Sequence, residues 1–251
     1  MTETPRILLA IGTRPEGIKL APVARALQQY SEVDTRVALT GQHTTLMDQV
    51  LQVFDLPVHW DLGIMREGQD LYDVAHGCLD GLRKVVREYK PQMILVQGDT
   101  ASVFFAALVG FFERVLVGHV EAGLRSHDKW RPYPEELFRR LTGVGADLHF
   151  APTVEARENL LRENVPADQV FLTGNTVVDA LLAVAERTHQ VKDAALRAAL
   201  SSGKRLVLVT AHRRESFGAP LRSTSPIVSM TSFSSTRCIP IRKCAKRRSR
   251  S

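Results

Sequence analysis

The chain has 251 residues, 44% of them hydrophobic and 24% charged, an ordinary balance for a globular protein with room for one large or two modest domains. Its three cysteines are too few for a disulfide scaffold, no run approaches the roughly 18 apolar residues of a membrane span, and the start M-T-E-T-P-R-I-L-L-A lacks the apolar core of a signal peptide. The net charge of +6 sits at one end: residues 222–251 carry eight Lys or Arg and no Asp or Glu, the remainder is near neutral, and so nucleic acid is not an expected partner.

In chain order, R-I-L-L-A-I-G (6–12) is a short apolar run closed by Gly, and the amphipathic stretch from Pro15 to Tyr30 follows it: strand, turn, helix. T-R-V-A-L-T-G (35–41) predicts a second strand, with a helix over Thr45–Phe54. The spacing predicts a long helix over Leu71–Tyr89 with Ala75, Leu79, Leu82 and Val86 on one face. Q-M-I-L-V-Q-G-D-T (92–100) reads as a buried strand, Ala101–Phe112 as a helix, and V-L-V-G-H-V-E (115–121) as another strand. A helix from Pro134, a strand at 148–151, a helix from Thr153, a strand at 170–173 and a helix over Thr176–Glu186 complete the series, and R-L-V-L-V-T (205–210) opens a new one. Alternating strands and helices predict an α/β fold with a parallel sheet, and continuously apolar strands predict helices on both faces.

In such sheets ligands bind beyond the carboxyl ends of the strands. The segments found there are G-T-R-P-E-G-I-K (12–19), G-Q-H (41–43), G-D-T (98–100), H-V-E-A-G-L-R (119–125), T-G-N-T (173–176) and T-A-H-R-R-E (210–215). Gly12 to Glu16 opens a helix with Pro in its first turn, where an anion is favoured; Arg14 and Lys19 face a phosphate or a carboxylate, or are solvated cations of a capped helix. Asp99 is either a cap for the next helix or a functional carboxylate. Glu121 sits beside His119 and near Arg125, which is harder to read as a solvated surface group. Glu135 and Glu136 lie in a helix's first turn, where acids suit the macrodipole, so one of them has a structural explanation ready. His212 is a natural proton carrier, and the arginines beside it suit a diphosphate or simply begin a basic helix. Several carboxylates at neighbouring strand ends are the usual means of moving protons near neutral pH. No His, Asp or Glu spacing matches a metal-ligand pattern, and there is no G-x-G-x-x-G, Walker loop, G-x-S-x-G or C-x-x-C.

Taken together, G-T-R-P-E-G-I-K, G-Q-H, V-Q-G-D-T, G-H-V-E-A-G-L-R, P-Y-P-E-E, L-L-R-E-N-V, T-G-N-T-V-V-D-A and V-T-A-H-R-R-E-S-F-G, in this order, closely resemble the non-hydrolysing UDP-N-acetylglucosamine 2-epimerases from Ile7 to about Leu221. The resemblance implies a GT-B type fold, in which the first Rossmann-like domain is complete here and the second only begun. It implies interconversion of UDP-N-acetylglucosamine and UDP-N-acetylmannosamine by elimination and re-addition of UDP, for cell-envelope polysaccharides. It also implies a cytoplasmic enzyme, usually a homodimer, with a UDP-sugar substrate, no cofactor and no metal. By motif, the catalytic residues are Asp99, Glu121, Glu135 and His212; the substrate-binding residues are Arg14, Lys19, Arg213 and Glu215; and Gln42, His43, Arg66 and Gln69 lie where some members bind an allosteric sugar nucleotide. A hydrolysing epimerase, a GT-B glycosyltransferase and an inactive sugar-nucleotide-binding fragment are the alternatives.

The resemblance implies a further P-V-H-x-N-P segment and a D-S-G-G-x-Q-E-E loop, neither of which occurs. One permitted back-translation of Ser225–Arg247, read two bases out of frame, contains Y-P-V-H-P-N-P. The expected organisation is therefore a Rossmann-like domain over 1–185, a linker and the start of a second domain over 186–221, and a basic Ser/Arg-rich, poorly ordered tail over 222–251 that is an out-of-frame translation of the second domain.

Overall fold

The structure is a computed structural model that describes residues 4–41, 45–64, 66, 68–188, 190–191, 193–203, 206–208 and 238–240. Two compact units divide at Arg187 and Thr188. In the first, a seven-stranded sheet runs β1 (Arg6–Ile11), β2 (Asp34–Leu39), β3 (Trp60–Asp61), β4 (Met93–Gln97), β5 (Leu116–Val120), β6 (Leu148–Ala151) and β7 (Val170–Leu172) along the chain, in the spatial order β3-β2-β1-β4-β5-β6-β7. Every pair is parallel. The order reverses between β1 and β4, which makes their carboxyl ends the topological switch point.

The strands form where the apolar runs were expected, because each is covered on both faces. Leu8 and Ala10 of β1 pack with Val74, Cys78, Leu82, Val85 and Val86 of α3 (Leu71–Tyr89) and Val103, Ala106 and Ala107 of α4 (Ala101–Phe112). Leu9 and Ile11 of the same strand pack on the opposite face with Leu20, Ala21 and Ala24 of α1 (Arg14–Leu27), Met47, Val50 and Phe54 of α2 (Thr45–Phe54), and Ala180 of α7 (Val177–Ala185). This alternation is the period-two pattern of a strand buried from both sides. A smaller core of Ala122, Ala151, Ala156, Leu160 and Val170 lies under α6 (Val154–Arg162), which follows α5 (Glu135–Gly145).

Two sequence expectations are corrected within this unit. Of the expected face of α3, Leu82 and Val86 are buried while Ala75 and Leu79 lie at its margin, and Val74, Cys78, Val85 and Tyr89 complete the buried face. Ala38 of β2 and Ile94 of β4 belong to the same core. The two-residue β3, unanticipated, pairs Trp60 with Ala38 and Asp61 with Leu39.

The second unit contains α8 (Ala194–Ser201), also unanticipated, and an antiparallel pair of β8 (Leu206–Leu208) with β9 (Cys238–Pro240). Strand β9 falls in the segment expected to lack regular structure. It is formed on Cys-Ile-Pro, a short apolar triplet in a Ser- and Arg-rich stretch.

Candidate active site

The switch point is built by two close backbone features. Gly12 leaves β1 against α4: a Cβ there would lie 2.5 Å from Ser102 Oγ and 3.0 Å from Thr40 Oγ1, which are themselves hydrogen-bonded at 2.9 Å. Gly98 leaves β4 with φ +88°, a conformation glycine adopts without strain.

The first strand end does not leave α1's N-terminus open. Glu16 folds back over it, with Oε2 accepting the Gly12 N–H at 2.6 Å and Oε1 accepting the hydroxyls of Thr13 and Thr100, each at 2.8 Å. Burial pushes the Glu16 carboxyl above its ordinary range, and these donors pull it back only in part. The expected anion position is thus occupied by the chain's own carboxylate. Arg14 is exposed at the first turn of α1. Lys19 turns to a carboxylate, its Nζ 2.6 Å from Glu121 Oε2.

Glu121 follows β5 with φ +65°, a backbone that costs a non-glycine residue energy and therefore needs support from its surroundings. Three donors converge on it. Lys19 and the Gln97 side-chain amide both bond Oε2, and Asn175 Nδ2 donates to Oε1 at 2.8 Å. The register brings Gln97 there, since it pairs with Val120, one residue before Glu121.

Asp99 does not cap α4. Thr100 does, accepting the Val103 N–H at 3.5 Å. Asp99 is left to receive a hydrogen bond from Arg139 of α5. Burial raises its carboxyl above the usual range. Arg139 lowers it, Glu135 and Glu121 raise it again, and the net direction is up. These couplings place Asp99, Glu121 and Glu135 in one electrostatic neighbourhood. Glu135 is half-buried, and its Oε2 is enclosed without a hydrogen-bond partner. Its neighbour Glu136 is fully buried, accepts the Ser126 N–H at 3.0 Å, and lies 3.3 Å from Arg139 Nη1.

His119 and Arg125 are structural. His119 is buried, its Nε2 is 2.7 Å from the Gly98 carbonyl oxygen, and desolvation pushes its pKa down to about 4, so the ring is neutral and braces the turn that presents Asp99. Arg125 grips Glu163 with two bonds, at 2.8 and 2.7 Å. Gln69 is engaged within its own loop: its amide donates to the Ile64 carbonyl at 2.8 Å and its oxygen accepts the Arg66 N–H, while the Arg66 residue is exposed. Gln42, His43, His212, Arg213 and Glu215 lie outside the described residues.

Sequence reasoning did not single out Gln97, Asn175, Arg139 or Glu16. Glu16 and Asn175 lay inside strand-end segments already marked, Gln97 stands one residue before another, and Arg139 stands four residues after Glu135, on the same helix face. Among the described residues, no group of three or more His, Cys, Asp or Glu is placed to hold a metal ion.

The arrangement is a polar half-cleft: carboxylates at the ends of β4 and β5 and the start of α5, braced by Lys19 and Arg139. Comparison with known proteins shows the family. The family model for UDP-N-acetylglucosamine 2-epimerase matches residues 25–239. A UDP-N-acetylglucosamine 2-epimerase of Yersinia pestis is 49% identical over 218 residues, covering 85% of this chain and 58% of that protein. The solved UDP-GlcNAc 2-epimerase from Neisseria meningitidis, bound to UDP-GlcNAc, is 44% identical with a TM-score of 0.68, covering 70% of this chain and 48% of that one. The enzyme of Methanocaldococcus jannaschii, in complex with UDP-GlcNAc and UDP, is 36% identical with a TM-score of 0.69, covering 79% of this chain and 54% of that one. The chain thus spans a little over half the length of the curated relatives it matches.

Proposed function

The chain belongs to the UDP-N-acetylglucosamine 2-epimerase family, and we propose that its site serves the interconversion of UDP-N-acetylglucosamine and UDP-N-acetylmannosamine. The observation that carries this reading is that Asp99 and Glu121 follow the paired strands β4 and β5, while α5, which begins at Glu135, reaches Asp99 through Arg139. The reaction inverts carbon 2 of the sugar. A base removes the proton from that carbon as the bond from carbon 1 to UDP breaks, which leaves a 2-acetamidoglucal. A proton then returns to carbon 2 from the other face and UDP re-adds at carbon 1.

That sequence needs a base, an acid on the opposite face and help for the departing diphosphate. Asp99 suits proton exchange, because burial raises its carboxyl above the ordinary range while Arg139 keeps it oriented. Glu121 is held by Lys19, Gln97 and Asn175 at a fixed position beside it. Glu135, with an unpartnered buried oxygen, is free to take up a hydrogen bond from substrate. Arg14 contributes positive charge for the diphosphate; a substrate role for His212, Arg213 and Glu215 rests on the family resemblance alone. The role in cell-envelope polysaccharide synthesis is supported by the product, an activated N-acetylhexosamine. The cytoplasmic location is supported by the sugar-nucleotide substrate, and the homodimeric state by family resemblance.

The test is incubation of the chain with UDP-N-acetylglucosamine in D2O, followed by proton NMR. Appearance of UDP-N-acetylmannosamine with deuterium at carbon 2 supports elimination and re-addition. Accumulation of UDP and free N-acetylmannosamine assigns a hydrolysing epimerase. Saturable binding without any exchange at carbon 2 overturns the enzymatic reading in favour of a sugar-nucleotide-binding protein.

A further inference from the structure

Glu136 is 0% exposed and adjoins the proposed proton-transfer group without being one of the motif carboxylates assigned to catalysis. An acid in a first helical turn serves the macrodipole equally well at the surface. Complete burial of a carboxylate is costly unless a specific partner answers it. The partner here is Arg139, one turn along α5, whose Nη1 is 3.3 Å from Glu136 Oε2. The other arm of the same guanidinium, Nη2, donates to Asp99. Arg139 is only 14% exposed, so water screens neither contact strongly.

We propose that Glu136 is a positioning residue: by holding one arm of Arg139 it fixes the guanidinium against Asp99 and divides its charge, so that Asp99 can both take up and release a proton. This role presupposes the epimerase reaction for the use made of that proton. The charged groups bearing on Asp99 are Arg139 and Glu135 from α5 and Glu121 from the end of β5. Those facing Glu136 are Arg139, through Nη1, and the Ser126 N–H at 3.0 Å. Glu136 and Asp99 meet on the two arms of one guanidinium, so the influence of Glu136 on Asp99 is proposed to pass through Arg139. An Arg139 that gave its whole charge to Asp99 would hold the carboxylate as a permanent anion.

The test is a carbon-13 NMR titration of the carboxyl-labelled aspartates in the 251-residue chain, without substrate. It compares wild type, E136Q, R139Q and the double variant. E136Q is expected to lower the Asp99 midpoint, because the undivided guanidinium then favours its anion. R139Q is expected to raise it. In the R139Q background, E136Q is expected to leave the midpoint where R139Q put it, since the route of influence is gone. A folded E136Q with an unmoved Asp99, or an equal shift with and without Arg139, overturns the proposal. Should E136Q lose its fold, E136D carries the same test: it keeps the charge but draws it back from Arg139, and a smaller downward shift is expected, an unmoved midpoint again overturning the idea. Turnover of UDP-N-acetylglucosamine is measured separately. Turnover with no midpoint shift sinks the role of Glu136 alone, and midpoint shifts without turnover sink the epimerase reaction while the coupling stands.

Discussion

Replacing Glu121 by Gln is the sharpest probe of the half-cleft. The amide is isosteric with the carboxylate but exchanges one acceptor for an NH2 group. Each position it can occupy already faces a donor: Lys19 Nζ at 2.6 Å and the Gln97 amide at the Oε2 position, Asn175 Nδ2 at 2.8 Å at the Oε1 position. Whichever way the amide turns, donor meets donor. Leaving a buried donor unpaired costs about 1–3 kcal/mol. Removing one member of a fully buried ion pair costs roughly 3–5 kcal/mol, but Lys19 is 22% exposed and Glu121 12%, so solvent recovers much of that. The two losses concern the same contacts and do not add in full, so E121Q should destabilise the fold by about 2–4 kcal/mol. K19M should cost less than E121Q, and the double variant should show a coupling of about 1–2 kcal/mol. Urea unfolding followed by tryptophan fluorescence reads this directly, because Trp60 and Trp130 both lie in the unit that carries the site. An E121Q protein as stable as wild type to within about 0.5 kcal/mol, with no coupling to Lys19, would refute the convergence of donors on Glu121.

Three further outcomes follow from the same geometry. His119 is buried with a pKa of about 4, below the ~6.5 of an unfolded chain; between those values the unfolded state binds the proton, so stability is full above pH ~6.5 and falls as pH drops towards 4, by about 3 kcal/mol. H119Q, which keeps a side-chain N–H donor able to reach for the Gly98 carbonyl, should lose this term, and the difference between the urea midpoints of the two proteins should narrow on acidification. Gly98→Ala should cost about 1–2 kcal/mol from its φ of +88° alone, since no atom lies within 4 Å of the added Cβ, whereas Gly12→Ala should cost more because its Cβ strikes Ser102; calorimetry of both variants separates strain from clash. Cys78, buried and with its thiol pushed up to about 11, should resist iodoacetamide at pH 8 in the folded protein and react on unfolding, as peptide mass spectrometry would show; rapid native labelling would contradict its enclosure beside Ser102.

Much of this fold is legible in the sequence because burial on both faces makes a strand a continuous apolar run. R-I-L-L-A-I and M-I-L-V-Q can be little else when a helical stretch follows each. Helix α4 spans the predicted Ala101–Phe112, and α3 has the predicted ends, with Leu82 and Val86 buried as expected and Ala75 and Leu79 at the margin of its face. With apolar residues at 74, 78, 79, 82, 85 and 86, two overlapping stripes fit the period, and only the sheet beneath decides between them. Strand β3 carries no such signal. Two residues, Trp60 and Asp61, join the sheet by backbone pairing to β2.

The site divides along the same line. Carboxylates at strand ends are visible because topology puts strand ends together. Their partners are not, because each pair is distant in sequence: Lys19 and Glu121 are separated by 102 positions, Asp99 and Arg139 by 40. Glu16 reads as a first-turn acid, and nothing local says that it closes over its own helix N-terminus.

That closure bears on how substrate is held. A diphosphate cannot occupy the α1 N-terminus while Glu16 keeps the Gly12 N–H and the hydroxyls of Thr13 and Thr100. Protonation of Glu16, favoured by its burial, would turn one accepting oxygen into a donor and weaken these contacts, but would leave the side chain in the way. The first loop therefore presents charge rather than backbone donors to the cleft. Lys19 is already committed to Glu121, which leaves Arg14 as the exposed cation of that loop. Glu121 and Asp99 are thus braced within the unit Met1–Arg187 by Lys19 and Arg139. On the proposed epimerase reaction, the first loop therefore meets the diphosphate with the charge of Arg14 and not with the backbone donors of the α1 N-terminus.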